Sequence, residues 1–277
     1  MQHDSYTPRG PVDGRYETLL VHQEAAIDWV TLNRPETLNA MSRTMMLELQ
    51  HYFGALYTNH AVRVVVLTGA GRGFCAGLDL KEDRDDGELG PVNGLRVQRR
   101  VSEIVMRMRR APQPIVALVN GPASGGGFAL MLASDIRIAA PSARMNAAFI
   151  RIGLTACDVG VSYFLPRLVG SSLAAELLLT GRFLDAGRAL ATGLVSAVVP
   201  EAELRDAGSR MAREILANSP VGVRLTKECL NMSIDASSLE AVIAMEDRQQ
   251  ILAAQTGDMR EGVSAFLEKR AAEYHDR

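Results

Sequence analysis

Two apolar runs, residues 62–68 and residues 115–119, each lead into a glycine-bearing turn, and this pairing limits the folds open to the chain. The first turn spans residues 74–80, Phe-Cys-Ala-Gly-Leu-Asp-Leu, a few residues after its run. The second spans residues 120–127, Asn-Gly-Pro-Ala-Ser-Gly-Gly-Gly, directly after its run. Short continuous apolar runs are of buried-strand type. Each turn leads toward a segment of helical character. Turns of this kind can leave backbone N–H groups unpaired and aimed outward. Two such groups converging on one point form an oxyanion hole, which stabilises negative charge developing on a carbonyl oxygen.

The rest of the chain fits an α/β reading. Residues 19–21 and 27–32 are β-type runs separated at Gln23-Glu24, a hairpin, and Asn33-Arg34-Pro35 breaks the second strand. Ser42 is placed to cap a helix whose Met45, Met46, Leu49, Phe53 and Leu56 recur at helical spacing. Residues 81–94 are charged and glycine-rich and read as a mobile loop of lid type. Helix is expected over residues 95–110 and 126–133, strand over 135–139, and a third glycine-flanked loop over 153–162. Two short helices, 163–168 and 174–179, and a last strand, 195–199, follow. From Glu203 onward the pattern is helical: 203–217, 221–232, 238–255 and 260–274. Strand–helix alternation before residue 200 predicts an α/β core. The expected organisation is a flexible extension over 1–15, a core over 16–200 and a helical region over 201–277.

Composition removes several function classes. The formal net charge of −2 gives no reason to expect a nucleic-acid partner. Arg99, Arg100, Arg107, Arg109 and Arg110 cluster, and the expectation is a solvated helix face. Cys75, Cys157 and Cys229 are odd in number and without ligand spacing, so neither a disulfide framework nor a metal site is expected. Cys75 has no histidine near it in sequence and reads as a small buried residue of a tight turn rather than a nucleophile. No run reaches membrane-span length, and residues 1–14 lack signal-peptide character, so a cytoplasmic protein is expected. Gly71-Arg-Gly-Phe-Cys-Ala76 matches the dinucleotide pattern G-x-G-x-x-A. No second strand ending in an acid follows at the required distance, so that match carries little.

The glycine turns, together with Asn33-Arg-Pro-Glu-Thr-Leu-Asn-Ala40 and Leu179-Thr-Gly-Arg182, resemble the crotonase (enoyl-CoA hydratase/isomerase) superfamily from about Tyr16 to Tyr274. The resemblance implies a spiral of ββα units with a C-terminal helical oligomerisation region, forming trimers that commonly pair into hexamers. It implies an acyl-CoA thioester as substrate, no separate cofactor or metal, and a place in fatty acid metabolism. The thioester carbonyl would sit between the N–H groups of Leu78 and Gly126. The segment of Ala76, Leu78, Asp79, Leu80 and Lys81 would line the adenine and pantetheine path. Phe266 and Lys269 match residues that reach a neighbour's CoA, although Lys269 reads equally as an ordinary exposed lysine. Asp79 and Asp135 are expected to brace the backbone.

One departure from the family pattern bears on chemistry. The two glutamates that hydratases use to position and activate water fall at Ala129 and Phe149, neither of which exchanges a proton. The dienoyl-CoA isomerases share acidic counterparts there, so that specific activity is not expected either. Asp158, in Ala-Cys-Asp-Val-Gly160, aligns with a carboxylate that dienoyl-CoA isomerases use for proton transfer. Its competing role is to cap the helix beginning near Gly160. The expectation is therefore isomerase-like proton transfer by Asp158 rather than standard hydration. The alternative is an acyl-CoA binding protein that keeps the hole and turns over nothing. Phe149, Leu154 and Val161 are expected near the acyl group.

Overall fold

A computed structural model describes residues 8–82 and 90–277. Two antiparallel strands open it, β1 (Leu19–Glu24) and β2 (Ile27–Leu32), followed by α1 (Arg43–Ala55), β3 (Val64–Gly69), α2 (Pro91–Arg110) and β4 (Ile115–Val119). The second glycine turn then holds β5 (Ala123–Ser124) and starts α3 (Gly126–Ala133), before β6 (Ile136–Ala139) and β7 (Arg144–Asn146). After these come α4 (Val161–Val169), α5 (Ser171–Thr180), β8 (Leu184–Asp185), α6 (Ala186–Ala191) and β9 (Ala197–Val198). The chain ends with α7 (Leu204–Leu216), α8 (Pro220–Ser233), α9 (Leu239–Ala254) and α10 (Gly257–Glu268).

The main sheet has the order β1-β2-β3-β4-β6-β9, parallel except for the β1–β2 hairpin. Strands β2, β3 and β4 are buried almost throughout, and β3 and β4 read as near-continuous apolar runs because both faces are covered. Val65 and Leu67 of β3 join one core with Met45, Leu49 and Phe53 of α1 and Ile104 and Met108 of α2. Val64 and Val66 point the other way, onto Leu204, Ala207 and Ala212 of α7. Gly208 allows α7 to lie close, since a Cβ there would come 2.7 Å from Leu118. Ser42 caps α1 as expected, its Oγ accepting from the Met45 N–H.

The neighbouring strands β3 and β4 run parallel with Thr68 opposite Leu118, so their carboxyl ends lie side by side. Both glycine turns leave from that end, where open α/β sheets commonly bind ligands. A second sheet, β5-β7-β8, fixes the second turn from its other side. Its strands have two or three residues each, too short for any periodicity to signal them.

Several sequence expectations need correction. The hairpin turns at Ala25-Ala26, with Gln23 and Glu24 inside β1. Helix α2 starts at Pro91, not at residue 95, because proline suits a first helical position. Of the expected loop 81–94, residues 83–89 lie outside the described residues, and 91–94 are helical. The last helix ends at Glu268 rather than residue 274. The chain then turns back, and the Asp258 carboxylate accepts from the His275 and Asp276 N–H groups.

Candidate active site at the two glycine turns

The two turns are joined backbone to backbone. Cys75 N–H donates to Pro122 O at 3.1 Å, and Ser124 N–H donates to Cys75 O at 2.9 Å. The chain before α1 grips the first turn from its other edge: Met41 N–H donates to Gly77 O at 2.7 Å and Asp79 N–H to Met41 O at 3.1 Å. Gly125 N–H donates to Asn146 O, and the Asn146 amide donates to Gly181 O, which ties the second turn to Leu179-Thr-Gly-Arg182. Glycine is required at the contact. A Cβ on Gly77, whose φ is +91°, would lie 2.7 Å from Ser124 O and 3.2 Å from Gly126 N. A Cβ on Gly127 would lie 2.1 Å from Cys75 O.

This geometry brings Gly126 N beside the Gly77–Leu78 backbone. Among the described residues, neither the Leu78 N–H nor the Gly126 N–H donates a hydrogen bond. Gly126 is the first residue of α3, so its N–H also carries the positive end of the helix dipole. Two free donors on adjoining turns are the equipment needed to hold a carbonyl oxygen as it gains negative charge. Cys75, between them, is fully buried, and burial pushes its thiol up to about 12, so it remains a protonated packing residue.

Three polar side chains that sequence reasoning left without a role hold this arrangement. The buried Asn39 donates to Ala70 O and Gly73 O and accepts from Arg34 N–H. The buried Asn120 donates to Gly71 O and Gly73 O and accepts from Gly69 N–H. Both asparagines thus converge on Gly73 O. The Arg34 guanidinium reaches Ala40 O at 2.6 Å and Asp79 Oδ2 at 2.8 Å. That contact holds the Asp79 carboxyl below its usual range, and its other oxygen accepts from Lys81 N–H. Asp79 is therefore a charged strut of the turn. Ala76 is half-buried and Leu80 and Lys81 are exposed along the same rim. Phe266 and Lys269 lie at the exposed end of α10, with Lys269 in a left-handed cap at φ +55°.

Asp158 does not cap α4 with its side chain; the Asp158 carbonyl accepts the Val161 N–H instead. Its carboxylate Oδ1 accepts from Val159 N–H at 2.8 Å and from the Gln98 amide of α2 at 2.5 Å. Among the described residues, Oδ2 has no hydrogen-bond partner. Burial pushes the Asp158 carboxyl up despite those two donors. The following residue, Val159, has φ +39°, a rare conformation for a β-branched side chain, and Gly160 continues at φ +87°.

Ala129 and Phe149 are both buried. Ala129 is in α3, and the Phe149 ring lies against Gly125, 3.5 Å from where a Cβ would stand. Val161 is buried in the core, whereas Leu154 is half exposed.

One further expectation changes. The arginine cluster is not simply a solvated face. Arg107 donates to Gln50 O of α1, and Arg109 reaches Asn231 of α8 and Asp135. Asp135 does brace the backbone, at the start of β4, accepting from Ile115 N–H at 2.8 Å and pairing with the buried Lys227.

Comparisons with known proteins show the family. The family profile described as enoyl-CoA hydratase/isomerase matches residues 22–277. A protein of Mycobacterium tuberculosis named a probable enoyl-CoA hydratase is 42% identical over 263 residues, covering 93% of this chain and 92% of that one. The 1,2-epoxyphenylacetyl-CoA isomerase of Escherichia coli is 38% identical over 260 residues, covering 93% and 98%. A crystal structure of a probable enoyl-CoA hydratase/isomerase from Mycobacterium abscessus superposes with a TM-score of 0.87 at 38% identity, covering 94% of this chain and all of that one. Fold, glycine turns and similarity across nearly the whole chain together establish that this protein is an enzyme of the enoyl-CoA hydratase/isomerase (crotonase) family.

Proposed function

We propose that the protein binds an unsaturated acyl-CoA, holds its thioester oxygen between the Leu78 and Gly126 N–H groups, and shifts its double bond through Asp158. The Asp158 carboxylate takes a proton from the α-carbon. The electron pair moves into the thioester, and the resulting enolate is held by the two donors. The protonated Asp158 then returns the proton at the γ-carbon, so the double bond moves into conjugation and no atom is gained or lost. One such donor contributes roughly 10²–10³ in rate, and a positioned acid–base group about 10²–10⁴.

The observation that carries this reading is the contrast among three positions. Ala129 and Phe149 are buried and apolar, whereas Asp158 is half-buried, keeps Oδ2 unpartnered among the described residues and has its carboxyl pushed up by burial. A carboxyl raised toward neutrality suits reversible proton transfer. The similarity to an isomerase acting on an epoxyphenylacetyl-CoA is in keeping with it. The strip from Ala76 to Lys81 is the proposed path of the CoA moiety, and Phe266 and Lys269 its contacts from a neighbouring subunit. Exposed apolar side chains on α9 and α10, among them Leu239, Ile251, Leu252 and Leu267, support assembly into a trimer or hexamer. A cytoplasmic role in acyl-CoA metabolism completes the proposal.

A panel of enoyl-, dienoyl- and hydroxyacyl-CoA substrates, assayed with the wild type and Asp158→Asn, tests it. Isomerisation that disappears in Asp158→Asn is the expected result. Hydration at ordinary enzyme rates that survives the substitution would refute it. Tight binding with no turnover across the panel would mark a binding protein instead.

A further inference from the structure

We infer that Gln98 of α2 is a positioning residue for Asp158, holding one carboxylate oxygen so that the other is presented to the substrate. This inference rests on the proton-transfer role given to Asp158 above. The geometry behind it has three parts. Gln98 Nε2 donates to Asp158 Oδ1 at 2.5 Å, and the Val159 N–H donates to the same oxygen at 2.8 Å. Both donors on Oδ1 leave Oδ2 without a partner among the described residues. A carboxylate gripped by one donor could still rotate; gripped by two from different directions, it has a fixed plane.

The second part is backbone strain. Val159 at φ +39° and Gly160 at φ +87° are successive left-handed residues directly after the carboxylate. Such a turn persists only when its surroundings hold it. The third part is what holds it. A Cβ on Gly160 would lie 2.8 Å from the Phe164 ring of α4 and 3.5 Å from Val105 of α2. Gln98 and Val105 are seven residues apart, two helical turns on one face. One face of α2 therefore fixes both the acid and the strained turn that carries it.

Three of the arginines on the surrounding elements have partners other than Asp158. Arg96 of α2 donates to Asn93, Arg109 pairs with Asp135, and Arg167 of α4 pairs with Asp235. No charged side chain among the described residues contributes to the Asp158 shift, which comes from burial opposed by the Val159 N–H and the Gln98 amide.

The test compares Gln98→Met, which keeps length and removes the donor, with Gln98→Glu, which replaces the donor by a carboxylate. Rates of double-bond isomerisation are measured across pH for both and for Asp158→Asn. Gln98→Met is expected to lower kcat about tenfold with KM within about twofold. Losing a donor to the carboxylate raises its pKa, so the acid limb of the pH profile moves up. Gln98→Glu moves it further, through like-charge repulsion. Gln98 is exposed, so melting temperatures are expected to stay close to wild type. Unchanged kcat and an unmoved pH profile in both variants, with Asp158→Asn inactive, would overturn the role of Gln98 alone. A fall in kcat accompanied by a lower melting temperature and an unmoved profile would also overturn it, since that is a structural effect. An Asp158→Asn variant as active as wild type would overturn the reading underneath.

Discussion

Gly77→Ala strains the contact between the turns right beside the Gly126 N–H. Gly77 has φ +91°, so an alanine there meets the left-handed penalty of about 1–2 kcal/mol. For a chain of this size that corresponds to a drop of roughly 2–8 °C in melting temperature. Gly193, at φ +78° with nothing within 4 Å of the place a Cβ would take, meets the same penalty and nothing more. The difference between the two sites is what a Cβ meets. At Gly77 it would stand 2.7 Å from Ser124 O and 3.2 Å from Gly126 N. Both are backbone atoms, so the turns must move apart and the two free N–H groups lose their common target. Losing the alignment of one donor lowers kcat by about 10²–10³. The assay is kcat and melting temperature for both variants with the same acyl-CoA. Gly77→Ala should lose at least about a hundredfold in kcat, while Gly193→Ala keeps wild-type kcat and shows only the thermal shift of the left-handed penalty, the smaller of the two. Equal activity in the two variants would refute the argument that the contact between the turns builds the hole.

Asn120→Ala removes a donor to Gly71 O and Gly73 O and the acceptor for Gly69 N–H; Gly73 O keeps the Asn39 amide, but the buried Gly69 N–H is left unpaired. Urea unfolding should show a loss of about 1–3 kcal/mol, as a lower midpoint at constant slope. The Arg34–Asp79 pair predicts a pH dependence with a definite sign. Arg34 depresses the folded-state pKa of Asp79, so the folded protein holds that proton less readily than the unfolded chain. The resulting stabilisation is present above the unfolded value, near ~4, and is lost as pH falls through the depressed one. The stability gap between wild type and Arg34→Met should therefore be widest at neutral pH and narrow below about pH 4. What persists in acid is the contact of Arg34 with Ala40 O.

Much of this arrangement was legible in the sequence, for identifiable reasons. β2, β4 and α3 appear at their expected bounds because continuous apolar runs and glycine punctuation are local signals. The glycines of both turns could be singled out because their demand is local too: Gly77 and Gly125 sit at backbone angles that other residues seldom adopt. The asparagines that stitch the turns were not readable, because their partners are dozens of residues away; Asn39 reaches Gly73 and Asn120 reaches back to Gly71. A non-glycine left-handed residue, Asn39 at φ +58°, is the kind of position asparagine tolerates, and that is the one signal that could have marked it. The Gln98–Asp158 contact spans 60 positions and joins a helix to a loop, a pairing that no periodicity encodes. Arg109 reads as part of a solvated helix face, yet it turns inward onto Asp135, which also pairs with the buried Lys227; opposite charge and the Gln113 carbonyl compensate the burial of that lysine.

A crystal structure with a bound, slowly reacting unsaturated acyl-CoA tests the central claim most directly. The account predicts the thioester oxygen within about 2.7–3.1 Å of both Leu78 N and Gly126 N, with the α-carbon facing Asp158 Oδ2. A thioester oxygen bonded to neither N–H, or an α-carbon turned away from Asp158 toward Ala129 and Phe149, would contradict it.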